Sequence, residues 1–383
     1  MTQPRASQIC LDDTPWYHVV SRCVRRAFLC GRDSITGNDY EHRRGWIEER
    51  ALGLASVFAI DVAAYAVMSN HYHLVLRVDA QRSRRWDDRE VLSRWTRLFS
   101  GPEVVQRYLS DAWETLSAAE VASAEAYADE YRGRLHDLSW FMRVLNESIA
   151  RRANAEDKVR GRFWEGRFKS QALLDEQALL AAMSYVDLNP VRAGVCEGLE
   201  DSTHTSIARR LSQPQEEATA TRVGEALPER EDDRPPLLHK ANTDAPTDPA
   251  IISGIFNSEV LREERVLRSL QPAPLMPFDG TGRFEAGIPF SWPDYMELTQ
   301  TLGRCVHPTK RGRIPEGTPK LLARMGMGTE AFIAHAGDLF HSFGSAIGAP
   351  ASLVDLAARR QCRYLRGIRT ARDMFGQELL AAS

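Results

Sequence analysis

The chain has 383 residues, 43% of them hydrophobic, enough to bury one large core or two ordinary ones, and no stretch approaches the roughly 18 uninterrupted apolar residues of a membrane span. Its six cysteines (Cys10, Cys23, Cys30, Cys196, Cys305 and Cys362) lack CxxC spacing, which argues against a zinc ribbon or a disulfide framework. A net charge of -3 carries no global sign of nucleic-acid binding, so any such activity must rest on local patches, and the N-terminal Met1–Arg5 run has no apolar signal core, so a cytoplasmic protein is expected.

Trp16 to Val24 alternates apolar and polar residues and predicts a strand, followed by a basic loop with Arg25 and Arg26. Apolar positions Trp46, Ile47, Leu52, Leu54 and Val57 recur at helical spacing, and Ile60 to Val67 returns to strand composition. Met68 to Asn70 reads as a tight turn into a strand beginning at His71. Glu90 to Asn154 is helical in pattern, with breaks expected near Gly101-Pro102 and Gly133, and Arg162 to Leu174 is strand-like. Asp175 or Glu176 should open a helix that Asn189-Pro190 ends, because a residue before proline is pushed out of the α region. Strands interleaved with helices on one antiparallel sheet predict an α+β fold of the ferredoxin-like kind over residues 1–200.

Residues 201–250, above all Gln213 to Pro249, are rich in Pro, Glu, Asp and Thr and predict a flexible linker. Residues 251–383 regain apolar periodicity with few strand signals and predict a smaller, mainly helical C-terminal domain. Arg363, Arg366 and Arg369, with Arg359 and Arg360 one turn earlier, would line one face of its last helix, either as a solvated surface or as a DNA contact.

Two constellations carry chemistry. In His71-Tyr72-His73 the imidazoles share one face of a strand, a pair able to hold a metal ion with positions left open, although two partly buried, hydrogen-bonded histidines fit the same spacing. Tyr185 and Asn189 stand at i and i+4 near the end of the predicted helix, so a phenol and an amide could address one site; a packed core tyrosine is the alternative. A phenol acts as a nucleophile only beside a base or a polarised electrophile, which a metal on the histidines could supply.

Four blocks in order, Tyr17-His18-Val19-Val20-Ser21-Arg22, Tyr65 to His73, Gly161 to Lys169 and Tyr185 to Ala193, resemble the REP-associated tyrosine transposase group of the single-tyrosine His-hydrophobic-His family over roughly Tyr17 to Val195. The C-terminal region, with its Arg311–Pro315 run, resembles the extension of longer members. One departure is Cys23, where many members have glycine. The resemblance implies His71 and His73 as ligands of Mg²⁺ or Mn²⁺, Asn189 completing the metal site, and Tyr185 attacking a phosphodiester of single-stranded or hairpin DNA to leave a 5′-phosphotyrosine. Two imidazoles are softer than magnesium prefers. Arg162, Trp164, Arg167 and Lys169, with Arg192 and Arg22, would hold the DNA by phosphate contact and base stacking, although an amphipathic strand with a charged outer face reads the same way. A DNA-hairpin-binding protein without cleavage is the alternative, and either a monomer or a homodimer is compatible with the family.

Overall fold

The computed structural model describes residues 8–24, 29–33, 37–212, 265–284, 286–306 and 318–376. Arg25, Arg26, the stretch 213–250 and the Arg311–Pro315 run lie outside them. The chain opens with β1 (Trp16–Arg22), α1 (Arg43–Ala55), β2 (Ile60–Val67) and β3 (His71–Val78), then runs through α2 (Ala80–Arg85), α3 (Asp88–Thr96), α4 (Glu103–Leu109), α5 (Ala118–Leu135) and α6 (Leu138–Glu156) before β4 (Lys169–Leu173) and α7 (Glu176–Asp187). Sheet order is β2-β3-β1-β4, all antiparallel, with a fifth strand beyond β4. That is the expected ferredoxin-like arrangement, with the histidine strand beside β1 at the centre.

Two local expectations shift. Gly133 does not break α5: the helix starts at a Ser117–Glu120 capping box and runs to Leu135, absorbing the cost of about 1 kcal/mol for one glycine. The break falls at Asp137, whose side chain caps α6. The strand expected from Arg162 begins only at Lys169. Val24 N donates to Phe163 O (2.9 Å) and Glu165 N to Arg22 O (2.8 Å), but the chain then loops out before rejoining the β1 ladder opposite Val20.

The remaining elements are α8 (Asn189–Arg192), α9 (Ser206–Ser212), α10 (Trp292–Val306), α11 (Lys320–Arg324), α12 (Thr329–Ala336), α13 (Leu339–Ser342), β5 (Ala346–Ile347), α14 (Pro350–Arg359) and α15 (Ile368–Phe375). The expected linker therefore starts later than residue 201, because Thr205 bridges Ala66 of β2 and α9 buries Ser206, Ile207 and Arg210. C-terminal residues share one apolar core with the sheet instead of building their own, and β5 joins β4 as a parallel fifth strand. Buried Asp187 ties three helices together, accepting from Ser206 Oγ (2.5 Å), Ile207 N (3.1 Å) and Tyr295 Oη (2.6 Å). The arginine stripe is not one helix face. α14 ends at Arg359, Arg363 and Arg366 lie between helices, and α15 starts after Gly367, whose φ of 106° is left-handed. Arg359 and Arg360 pair with Asp13. Among the described residues no helix is long and apolar enough to cross a membrane.

Candidate active site

Antiparallel partners share a face, so register alone builds one side of the site. The pairs Arg22↔His71 and Val20↔His73 between β1 and β3, with His18↔Gln171 and Val20↔Lys169 between β1 and β4, set Arg22, His18, His71, His73, Gln171 and Lys169 on one face. Tyr17, Ser21 and Tyr72 point to the other. Helix α7 packs over the histidine face against β2, β3 and β4. Asp175 caps it, accepting from Ala178 N (2.9 Å) and, across the fold, from Ala349 N (2.7 Å).

The helix delivers Tyr185 to the histidines. Its ring centroid lies 5.4 Å from that of His73 and 5.8 Å from that of His18, both edge-on. Asn189 and Arg192 follow on α8, with the Arg192 guanidinium 4.4 Å above the Tyr185 ring and donating to Asn189 Oδ1 (3.1 Å). Tyr185, Ser184, Leu188, Arg192, Val306 and Gly337 line a cleft of about 220 Å³, open solvent included.

His71 and His73 converge as the alternation predicts, their ring centroids 4.8 Å apart. In both, Nδ1 is already engaged: His71 Nδ1 with Asn70 Oδ1 (2.5 Å) and His73 Nδ1 with His18 Nε2 (2.9 Å). His73 Nε2 is buried without a partner. Burial pushes His71 down to about 4, with Arg22 and Arg192 adding to the effect; burial likewise holds His73 well below the usual histidine range, with His18, His71, Arg192 and His341 contributing. Neutral imidazoles with Nδ1 held and Nε2 free are the donors a divalent cation takes. Asn189 is the imperfect member, because its Oδ1 accepts from Arg192 while Nδ2 is buried and unpaired. Among the described residues no three His, Cys, Asp or Glu side chains are grouped to hold a metal ion, so the histidine pair would need amide, water or substrate oxygens to complete a shell.

The expected DNA contacts divide. Arg162, Arg167 and Lys169 are exposed, and Arg22 is half-exposed beside Glu165 (3.8 Å). Trp164 turns inward instead: it is 9% exposed, its Nε1 donates to Asn146 O (2.8 Å), and its ring meets Tyr72 edge-on. Base stacking on Trp164 is thus incompatible with its packing. Three residues near the chemistry went unanticipated: His18, Gln171 and Phe340, whose ring lies 5.4 Å from that of His18 and 6.4 Å from that of His73. The one signal for His18 was its parity with Arg22 along β1, which means nothing until the β1–β3 register is known.

No family model matches the sequence, and no curated protein does. A solved structure described as the REP associates tyrosine transposase bound to a REP hairpin is similar at 12% identity, covering 56% of this chain and 87% of that one, with a TM-score of 0.29. A superposition that loose transfers no residue role.

Proposed function

We propose that the chain is a metal-dependent single-stranded DNA endonuclease and strand transferase acting on hairpin-forming repeats, with Tyr185 as nucleophile. The observation that supports this most is the meeting of the Tyr185 ring with the His73 imidazole, whose Nε2 is buried and unclaimed. In the reaction the Tyr185 hydroxyl gives up its proton and its oxygen bonds to phosphorus, while the P–O3′ bond breaks and the leaving oxygen takes up a proton as a 3′-OH. A 5′-phosphotyrosine results, and a second 3′-OH can reverse the exchange to join strands. His71 and His73 would hold Mn²⁺ or Mg²⁺, with Asn189 as third donor once Arg192 releases its Oδ1; the cation, when bound, supplies polarisation of a phosphate oxygen. Arg192 over the Tyr185 ring puts positive charge where the attack concentrates negative charge. Arg162, Arg167, Lys169 and Arg22 would carry the phosphate backbone.

One observation favours a second reading, a hairpin-binding protein that does not cut. Tyr185 is 8% exposed and His73 2%, so both lie behind packed side chains. Incubating the full chain with labelled single-stranded hairpin DNA and Mn²⁺ separates the readings. Strand transfer predicts a covalent protein–DNA adduct that Tyr185→Phe abolishes. Binding with neither adduct nor cleavage supports the second reading, and cleavage that survives Tyr185→Phe overturns the tyrosine mechanism in favour of water attack.

A further inference from the structure

The tyrosine and histidine chemistry above leaves a buried relay unused. Gln171 Nε2 donates to Gly344 O (2.8 Å) and Phe340 O (3.2 Å), backbone carbonyls of the C-terminal segment that flanks β5. Those carbonyls can only accept, so they fix which end of the Gln171 amide is nitrogen. Its oxygen is then left on the β1 side, where His18 is the cross-strand neighbour. His18 Nδ1 and Gln171 Oε1 are both buried, neither is hydrogen-bonded to any other group, and the Gln171 side chain acts on His18 as a hydrogen-bond partner. An amide oxygen asks for a donor, which makes His18 the Nδ1–H tautomer. His18 Nε2 therefore carries a lone pair, and its 2.9 Å contact with His73 Nδ1 becomes a hydrogen bond donated by His73. The proton sits on His73 Nδ1, and the Nε2 lone pair faces the site.

We propose that His18 is a positioning residue which, oriented by Gln171 and the backbone of residues 340–344, locks His73 in the Nδ1–H tautomer so that its Nε2 can take a divalent cation. The proposal rests on the metal-site reading given above, but it concerns cation binding and not DNA cleavage. It also gives the C-terminal segment a part in the site that its helical composition does not suggest. The alternative proton arrangement, with His73 protonated at Nε2, would leave Gln171 Oε1 facing a second acceptor in a dry interior, an arrangement that costs more than either hydrogen bond returns.

The test reads tautomer and metal affinity on the full chain, without DNA. Nitrogen NMR of the metal-free, ¹⁵N-histidine-labelled protein should show His73 with a protonated Nδ1 and an unprotonated Nε2; the opposite pattern overturns the proposal whether or not any variant folds. Mn²⁺ binding, followed by electron paramagnetic resonance, should weaken by about 10- to 100-fold in His18→Phe, the usual cost of losing an outer-shell partner. His18→Gln, whose amide oxygen can reach the same nitrogen, should restore most of the affinity. Equal Mn²⁺ affinity in the wild type and a folded His18→Phe overturns the proposal. If the wild type binds Mn²⁺ in this His18-dependent way and yet forms no DNA adduct, the transferase reading fails and the positioning role stands.

Discussion

Two buried polar clusters, one on each face of the sheet, are satisfied to different degrees. Around Tyr72 the network closes: Tyr72 Oη donates to Asn146 Oδ1 (2.8 Å), Asn146 Nδ2 donates to Ser21 Oγ (3.0 Å), and the Asn146 carbonyl takes the Trp164 indole. Across the sheet, His73 Nε2 and Asn189 Nδ2 are buried without a formed hydrogen bond, and His18 Nδ1 and Gln171 Oε1 have only each other. Each unmatched buried group costs about 1–3 kcal/mol, so stability alone favours the arrangement around Tyr72. The second cluster carries that cost at His73 Nε2 and Asn189 Nδ2, next to the proposed cation site.

Substitutions can break that contrast. The largest expected effect is at Tyr185: Tyr185→Phe should lower covalent adduct formation by roughly a thousandfold or more, as removal of a nucleophile does. Because the hydroxyl makes no hydrogen bond among the described residues, the same change should leave denaturant stability within about 0.5 kcal/mol. Asn146→Leu should do the reverse. It strands the Tyr72 and Ser21 hydroxyls and should cost about 2–4 kcal/mol in urea unfolding, with adduct yield per folded molecule unchanged. A loss of chemistry out of proportion to folding there would erase the distinction between the faces.

Acid should find the histidine face first. Burial lowers His18 from 6.5 to about 4, a hydrogen bond with Gln171 opposing and His71 adding to it, and His71 falls to the same value. Their folded values lie below their unfolded ones, so the unfolded chain binds more protons between those limits. Stability is therefore complete above pH 6.5 and declines as pH falls toward 4, by up to about 1.4 kcal/mol per pH unit for each histidine. Urea midpoints between pH 7 and 4.5 should show this slope, and His18→Phe should flatten it. The smallest effects belong to the outer cations. Arg162→Ala or Arg167→Ala should each weaken hairpin binding and reduce the salt dependence by about one counterion, measured by titration at several salt concentrations. Trp164→Phe should cost about 1 kcal/mol of stability and leave affinity alone, and a matching loss of affinity would return Trp164 to the DNA surface.

Period-two alternation made β1, β2 and β3 legible, and it put His71 and His73 together before any register was known. Asp175 bounded the tyrosine helix by a local side-chain cap; its other end falls at Asp187, close to the expected Asn189-Pro190 pair, but Asn189 is not pushed out of the helical region and instead opens α8. What local pattern could not supply was partnership. Trp164 alternates with charged residues as a solvent-facing aromatic would, and only the arrival of Tyr72 and Asn146 from distant elements decides that it is core. His18 is one polar residue in an ordinary strand until pairing sets Gln171 beside it and His73 diagonal to it. Ala346–Ile347 is too short to show any period, so the fifth strand was invisible. The evenly spaced arginines looked like one helix because spacing does not reveal the left-handed turn at Gly367.

That two-residue strand has a consequence for the protein's solution behaviour. Without it, β4 would be the outermost strand, and the amides of Ala172 and Leu174 would face outward; instead Ala172 N donates to Ser345 O (2.9 Å) and Leu174 N to Ile347 O (2.9 Å). A chain shortened to its first 212 residues would keep every proposed catalytic side chain and still present a bare ladder rung to other copies of itself, an invitation to edge-to-edge aggregation. The C-terminal segment thus covers an edge that the sheet would otherwise leave unpaired.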